Sequence, residues 1–420
     1  MQVFKFGGAS VKDAGAVRNV GEIVKRFQDE KLLIVISAMG KSTNALEQLT
    51  EACYKQTGNA KKIFDEIKSY HDQIIKELIK DIHPHGFDDI ENTFIELECL
   101  ISGIPEGEYA FLYDQIVSFG ELLSTKIVSI YLNQTGIRNR WLDARNFIHT
   151  DSTYREGKVD WTKTTQIIQS KLKPLVEKQI IITQGFIGNS PNNNTTTLGR
   201  EGSDYSAAIF AYALDAESQT IWKDVAGVLN ADPKRFKDTI KIDELTYNEA
   251  IELAYYGATV IHPKTIQPLQ SKSIPLYVKS FVDPSASGTT VSNAPHDLIQ
   301  MPVYIVKGDQ TLVSISSKDF SFIVEENLSK IFEVFASHGI KTNMMQNSAI
   351  SFSACVNTED DNLKALQEAL ANQFNVRINK GCELFTARNV RSVQQVEYVK
   401  DKTILLEQRT RSSIQLVIQS

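Results

Sequence analysis

The chain has 420 residues, of which 42% are hydrophobic and 23% charged, a composition that excludes a disordered or collagen-like protein and suits two to three globular domains. Its 45 basic and 51 acidic side chains leave a net charge of −6, so a nucleic-acid footprint over the whole surface is excluded and a polyanionic ligand has to meet a local cluster of cations. Cys53, Cys99, Cys355 and Cys382 lie far apart without a C-x-x-C pair, which points to reduced thiols and away from a disulfide framework or a zinc ribbon; no metal ligand set is expected. The opening MQVFKFGGAS lacks the basic and apolar regions of a signal peptide, and no apolar run approaches the ~18 residues of a membrane span, so a cytoplasmic protein without a membrane partner is expected.

In chain order, QVFKF (2–6) alternates and stops at Gly7-Gly8, a helical segment follows to about residue 30, and LLIVIS (32–37) is a short apolar run ending in a small-residue loop. Apolar strands recur at IIITQGFIG (180–188), QTIWKDV (219–225) and IPLYVKSF (274–281), separated by helical patterns. This predicts an α/β fold with an open, mostly parallel sheet and helices on both faces. Between about 47 and 132 apolar residues recur at three- and four-residue spacing, which predicts a helical insertion at one sheet edge. NSPNNNTTT (189–197) is polar and without period, and is expected to be a turn or a mobile loop. The two prolines of SNAPHDLIQMP mark a linker over 292–310 after a domain of residues 1–291. Residues 311–383 then read strand-helix-strand-strand-helix-strand, a small α+β module. Residues 384–420 offer strands but no room for a helix and look like an incomplete second copy.

Several short stretches are dense in chemistry. GKS at 40–42 is not a P-loop, because that pattern needs glycine where Val35 stands; what remains is a loop of backbone N–H groups with the hydroxyls of Ser37, Ser42 and Thr43. Lys5 precedes an open glycine turn, where one cation and backbone amides can meet phosphate, or where it is merely solvated. GREGSDYSA (199–207) packs an arginine, carboxylates and hydroxyls before an apolar helix. A helix cap explains Ser203 or Asp204, but not Arg200, whose planar fork suits a carboxylate or phosphate. Glu121 in FGELLST either answers a helix dipole or binds an ammonium from a buried position. WKDVAGVLNADPKRF (222–236) can supply ribose or base contacts and phosphate neutralisation, or be a solvated loop. His262 in YGATVIHPKT is read as structural, and HPH at 83–85 as a helix-end loop.

Together and in this order, KFGGAS, SAMGKSTN, FGELLST, GREGSDYSA, KDVAGVLNADPKR and YGATVIHPKT resemble the aspartate kinases of the amino-acid-kinase family over roughly residues 1–290, and the C-terminal βαββαβ module resembles an ACT domain followed by a truncated second one. The resemblance implies transfer of the ATP γ-phosphoryl group to the β-carboxylate of L-aspartate, with Mg²⁺ carried by ATP, as the first step towards lysine, threonine and methionine. It implies that Lys5 contacts the transferred phosphoryl group, with Gly7 and Gly8 giving backbone access to phosphate and Asp204 orienting Lys5. Ser37, Thr43, Glu121, Arg200 and Ser203 map onto aspartate-binding positions, Glu121 for the amine and Arg200 for a carboxylate. Lys223, Asp224, Asp232 and Lys234 fall where relatives bind ATP. An amino-acid effector is expected near Asn343, Gln346, Asn347 and Ser348, and a homodimer through the ACT region.

The sequence departs from the pattern at Ala9 for threonine, Glu201 for glycine or asparagine, and Thr259 for a lysine at the nucleotide, for which Lys264 is the nearest replacement. Asn343 stands where lysine-sensitive relatives often carry aspartate, and an amide is the poorer partner for an ammonium. Two competing readings remain at this point: another acceptor, such as glutamate or N-acetylglutamate, and a non-catalytic amino-acid sensor.

Overall fold

The structure is a computed structural model that describes residues 1–78, 85–103, 107–258, 261–293, 301–319, 321–390, 392–393 and 396–419. His83 and Pro84, the side chain of His85, and Thr259 therefore lie outside the described residues. The chain forms two compact units, one of Met1–Val228, Lys241–Ile251 and Val260–His296, the other of Leu229–Ile240, Glu252–Thr259 and Asp297–Ser420.

The first unit is built on an eight-stranded sheet in the order Glu244–Thr246, Thr289–Ser292, Leu276–Ser280, Ser218–Lys223, Gln2–Phe6, Leu32–Ile36, Ile180–Gln184, Asn139–Trp141. Only the pair Leu276–Ser280 with Thr289–Ser292 is antiparallel. The central strands Leu32–Ile36 and Ile180–Gln184 are buried at every position, which is why their sequences are continuous apolar runs instead of alternating ones. Register places Lys5 between Val35 and Ile221, so this lysine emerges near the carboxyl ends of three neighbouring strands.

The expected helical insertion is present as Ser42–Tyr54, Ala60–Leu78, His85–Ser102, Tyr109–Val117 and Phe119–Gln134. Its last helix is fastened to the sheet by Thr125, whose hydroxyl oxygen accepts from Trp141 Nε1 and Gln184 Nε2, both at 2.8 Å. Of the stretch 189–197, expected to be a turn or a mobile loop, residues 191–193 form a turn and the flanks are strands. Ile187–Asn189 and Thr195–Thr197 pair as an antiparallel hairpin, and the three threonines are buried. β-Branched residues suit a strand, and their hydroxyls are satisfied: Thr196 meets the Thr150 hydroxyl at 2.6 Å, and Thr197 donates to Asp114 at 2.7 Å.

In the second unit the strand-helix order 303–388 is βαββαβ: Val303–Ser317, Glu325–Ser337, Thr342–Asn347, Ser351–Val356, Asp360–Leu370 and Phe374–Arg388. The first strand begins at Val303, inside the stretch read as a linker over 292–310, because Val303 and Ile305 alternate inward. The last two strands are Thr403–Arg409 and Ser413–Gln419. They extend the same antiparallel sheet, in the order Thr342–Asn347, Ser351–Val356, Val303–Ser317, Phe374–Arg388, Ser413–Gln419, Thr403–Arg409. The helices cover one apolar cluster that includes Val313, Phe335, Phe352 and Leu366, while Phe385, Leu416 and Ile418 pack with Phe236 and Tyr398 in another.

Candidate active site

Three close approaches bring distant stretches of the first unit together. A Cβ on Gly8 would lie 2.8 Å from the Ala38 carbonyl oxygen, so only glycine lets the turn after the first strand sit against the loop 37–43. On the far side of that loop, the Ala38 N–H donates to Glu121 Oε1 at 3.2 Å. A Cβ on Gly185 would stand 2.5 Å from Ser203 Cβ, so the end of the strand Ile180–Gln184 touches the start of the helix Gly202–Leu214.

Those approaches enclose a cavity of about 740 Å³, the size of a small-ligand site. Lys5, Ser37, Thr43, Glu121, Arg200, Ser203, Asp204 and Lys223 all line it. Lys5 and Asp204 are both buried, 8% and 2% exposed, and pair at 2.6 Å through Nζ and Oδ1. Lys223 Nζ stands 3.7 Å from the other carboxylate oxygen. Burial alone would raise the Asp204 carboxyl, but Lys5 and Lys223 outweigh it and hold it below the usual carboxylate range. Asp204 therefore stays charged and fixes both ammonium groups at the cavity wall.

Glu121 has the opposite environment. It is 2% exposed, its Oε2 has no partner among the described residues, and burial pushes its carboxyl up to about 8 against the opposing Ala38 N–H and Lys5. An unpartnered buried carboxyl facing a cavity is prepared for a donor that arrives from outside, such as a ligand ammonium. Glu201, at φ +54°, also lines the cavity with a buried Oε2 that lacks a partner among the described residues; burial raises its carboxyl while Lys223 opposes that rise.

Other residues singled out in the sequence stand elsewhere. Gly7 borders Lys5, where a Cβ would lie 3.3 Å from its Nζ. Asp224 is exposed after Lys223, and Lys264 is half-buried on the helix Pro263–Ser271, whose start His262 caps by accepting from Lys264 N at 3.2 Å. Asp232 and Lys234 are exposed and belong to the second unit, in a turn where Lys234 N donates to Asp232 Oδ1 at 2.9 Å. Asn343, Gln346, Asn347 and Ser348 are also in the second unit. There Asn343 Nδ2 donates to Gln310 Oε1 at 2.7 Å and its Oδ1 accepts from Lys307 Nζ at 3.1 Å, while Gln346 and Asn347 are exposed at the sheet edge.

Sequence reasoning missed Tyr113, Arg155, Glu156 and Phe186, which line the same cavity. Tyr113 lies in a helical pattern that reads as core, and Phe186 in an apolar strand. Arg155 and Glu156 come from the polar stretch DSTYREGK, where an arginine two residues before a glycine was the available signal.

The profile of the amino acid kinase family matches residues 1–280 of this chain. Lysine-sensitive aspartokinase 3 of Escherichia coli (strain K12) is 32% identical over 357 residues, covering 85% of this chain and 78% of that protein. This chain is an aspartokinase of the amino acid kinase family. Aspartokinase 1, chloroplastic, of Arabidopsis thaliana is 35% identical over 84% of this chain, which spans 62% of the plant protein's length. Bifunctional aspartokinase/homoserine dehydrogenase 2 of the same plant is 29% identical, with the chain spanning 42% of its length. Crystal structures of E. coli aspartokinase III superpose over the whole chain and 96% of theirs at 28% identity, with TM-scores of 0.87 for the R-state complex with aspartate and ADP and 0.82 for the T-state complex with lysine and aspartate. Among the described residues of this aspartokinase, no helix is long and apolar enough to cross a membrane.

Proposed function

We propose that this aspartokinase transfers the γ-phosphoryl group of ATP to the β-carboxylate of L-aspartate, giving 4-phospho-L-aspartate and ADP, as the entry to lysine, threonine and methionine biosynthesis in the cytoplasm. The observation that carries this reading is the convergence of Lys5, Asp204, Glu121 and Arg200 on one cavity. In the reaction a β-carboxylate oxygen forms a bond to the γ-phosphorus, the bond from that phosphorus to the β–γ bridging oxygen breaks, and ADP leaves with the electron pair. The acceptor is already an anion, so no general base is required. What the reaction needs is alignment and neutralisation of two anionic reactants. Lys5, oriented by Asp204, meets the transferred phosphoryl group, and Lys223 meets the nucleotide phosphates, with Gly7 and Gly8 giving the backbone access to them. Glu121 takes the ammonium, Arg200 takes a carboxylate, and Ser37, Thr43 and Ser203 contribute hydroxyls.

Mg²⁺ enters with ATP as part of the substrate and offsets phosphate charge. The orphaned Glu201 oxygen in the cavity fits a cation nearby. Asp224, Asp232, Lys234 and Lys264 are assigned to the nucleotide on the resemblance alone. Regulation by an amino acid, with lysine as the first compound to try because the T-state E. coli enzyme binds it, is assigned to the second unit at Asn343, Gln346, Asn347 and Ser348. A homodimer would form along the exposed edge strand Thr342–Asn347.

The test is incubation with ATP, Mg²⁺, hydroxylamine and either aspartate or glutamate. Aspartyl hydroxamate is expected. A hydroxamate from glutamate alone, or nucleotide binding without any turnover, overturns the reading in favour of another acceptor or of a sensor.

A further inference from the structure

Asp114, on the helix Tyr109–Val117, is fully buried, yet it has no place in the chemistry described above. Its two oxygens accept from Arg155 N at 3.1 and 3.0 Å, from Thr197 N at 2.8 Å and from the Thr197 hydroxyl at 2.7 Å. Burying a carboxylate is costly, and these bonds fix one particular piece of backbone: residue 155 is held at φ +67°, a conformation unfavourable for a side chain other than glycine. The turn so fixed seats against the residue before Arg200. A Cβ on Gly199 would lie 3.4 Å from the Arg155 carbonyl oxygen and 3.2 Å from Glu156 Cγ.

The held side chain lines the cavity. Its guanidinium carbon lies 4.5 Å from the centre of the Tyr113 ring, so the fork is steadied by an aromatic face. Its carboxylate neighbour is Glu47 at 3.9 Å, with the two side chains 47% and 46% exposed, a solvated pair of little energetic weight. Glu47 stands one helical turn after Thr43 on Ser42–Tyr54, which places Arg155 on the side assigned above to the acceptor. Aspartate presents one ammonium and two carboxylates. Glu121 and Arg200 answer two of these three charges, while Lys5 and Lys223 are engaged with Asp204 beside the phosphates.

We propose that Arg155 binds the second carboxylate of the acceptor and that Asp114 is its positioning residue; this rests on the dicarboxylic acceptor of the proposed function. In Arg155→Gln the KM for aspartate should rise roughly 10- to 100-fold, the weight of a lost charge-assisted hydrogen bond, with kcat and the KM for ATP within about threefold. Asparagine and isoasparagine, each with one carboxylate replaced by an amide, are then used as competitive inhibitors. The variant should weaken one and spare the other, and the spared one lacks the carboxylate that Arg155 grips. An unchanged KM for aspartate, a parallel rise in the KM for ATP, or equal shifts for both inhibitors overturns the proposal. In folded Asp114→Asn the KM for aspartate should rise in the same direction with kcat retained; an unchanged KM there removes the positioning role. If the unmodified protein makes no hydroxamate from aspartate, the proposed function itself fails, a result distinct from all of these.

Discussion

The cavity of the first unit and the outer strand Thr342–Asn347 of the second hold their polar side chains on opposite terms. In the cavity, Lys5, Asp204 and Glu121 are charged or titratable, almost fully buried, and each fixed by a specific neighbour. On the strand, Gln346 and Asn347 are uncharged and exposed, and Asn343 is engaged with Gln310 and Lys307. Charges out of water act strongly and must be positioned beforehand, whereas solvated amides recognise weakly and reversibly. One arrangement suits bond-making and the other suits sensing.

The contrast is tested most severely by Lys5→Ala. Steady-state kinetics should show kcat reduced by roughly 10²–10³-fold, since in the proposed function Lys5 is a preorganised charge facing the developing negative charge. A loss below tenfold would remove the special standing of the buried ion pair. Next comes Glu121→Gln, which should raise the KM for aspartate by about 10- to 100-fold. In the unmodified enzyme that KM should fall as pH rises from 6 to 8, because a carboxyl lifted to about 8 ionises over that range and only the ionised form pairs with an ammonium.

The same residue affects stability in the opposite sense. A carboxyl raised in the folded state favours folding while protonated and loses that contribution as pH rises through about 8. Glu121→Gln should therefore melt a few degrees higher than the unmodified protein at pH 8.5, with little difference at pH 5; 1 kcal/mol corresponds to roughly 2–4 °C in a unit of this size. His71 is 0% exposed and burial lowers it to about 4, with a ring nitrogen bonded to the Ile67 carbonyl at 2.8 Å. Its neutral form is favoured by folding, so the melting temperature should decline as pH falls from 6.5 towards 4, and His71→Gln should flatten that limb. The smallest effect belongs to the second unit. Asn343→Asp should pair with Lys307 and raise that unit's melting temperature by no more than a few degrees, and a large gain would show this polar cluster to be as tightly built as the cavity.

Much of this was legible from local pattern. LLIVI and IIITQ are sheet strands because continuous apolar residues fit a sheet covered on both faces, the alternating QVFKF stops at the Gly7-Gly8 turn, and that turn and the loop after LLIVIS were legible as features of the site. What stayed hidden depends on distant partners. No local pattern says that Asp114 will hold the backbone of residue 155, 41 positions away, or that Thr195–Thr197 will be buried against Thr150 and Asp114. Nor does charge along WKDVAGVLNADPKRF show that Lys223 joins the cavity while Asp232 and Lys234 go with the other unit. The neighbour of the final strands was hidden too, because their sequence gives strand propensity but not the sheet they will join.

That joining has a mechanical consequence. Val303–Ser317 and Phe374–Arg388 are fifteen residues each and run side by side from the half of the sheet under the helices into the half made by the last two strands. The two halves share a spine. A twist imposed at either margin must propagate along the ladder, whose register is irregular on both sides of Gln310, between Lys307 and Gln310 and between Gln310 and Leu312, and Gln310 is bonded to Asn343.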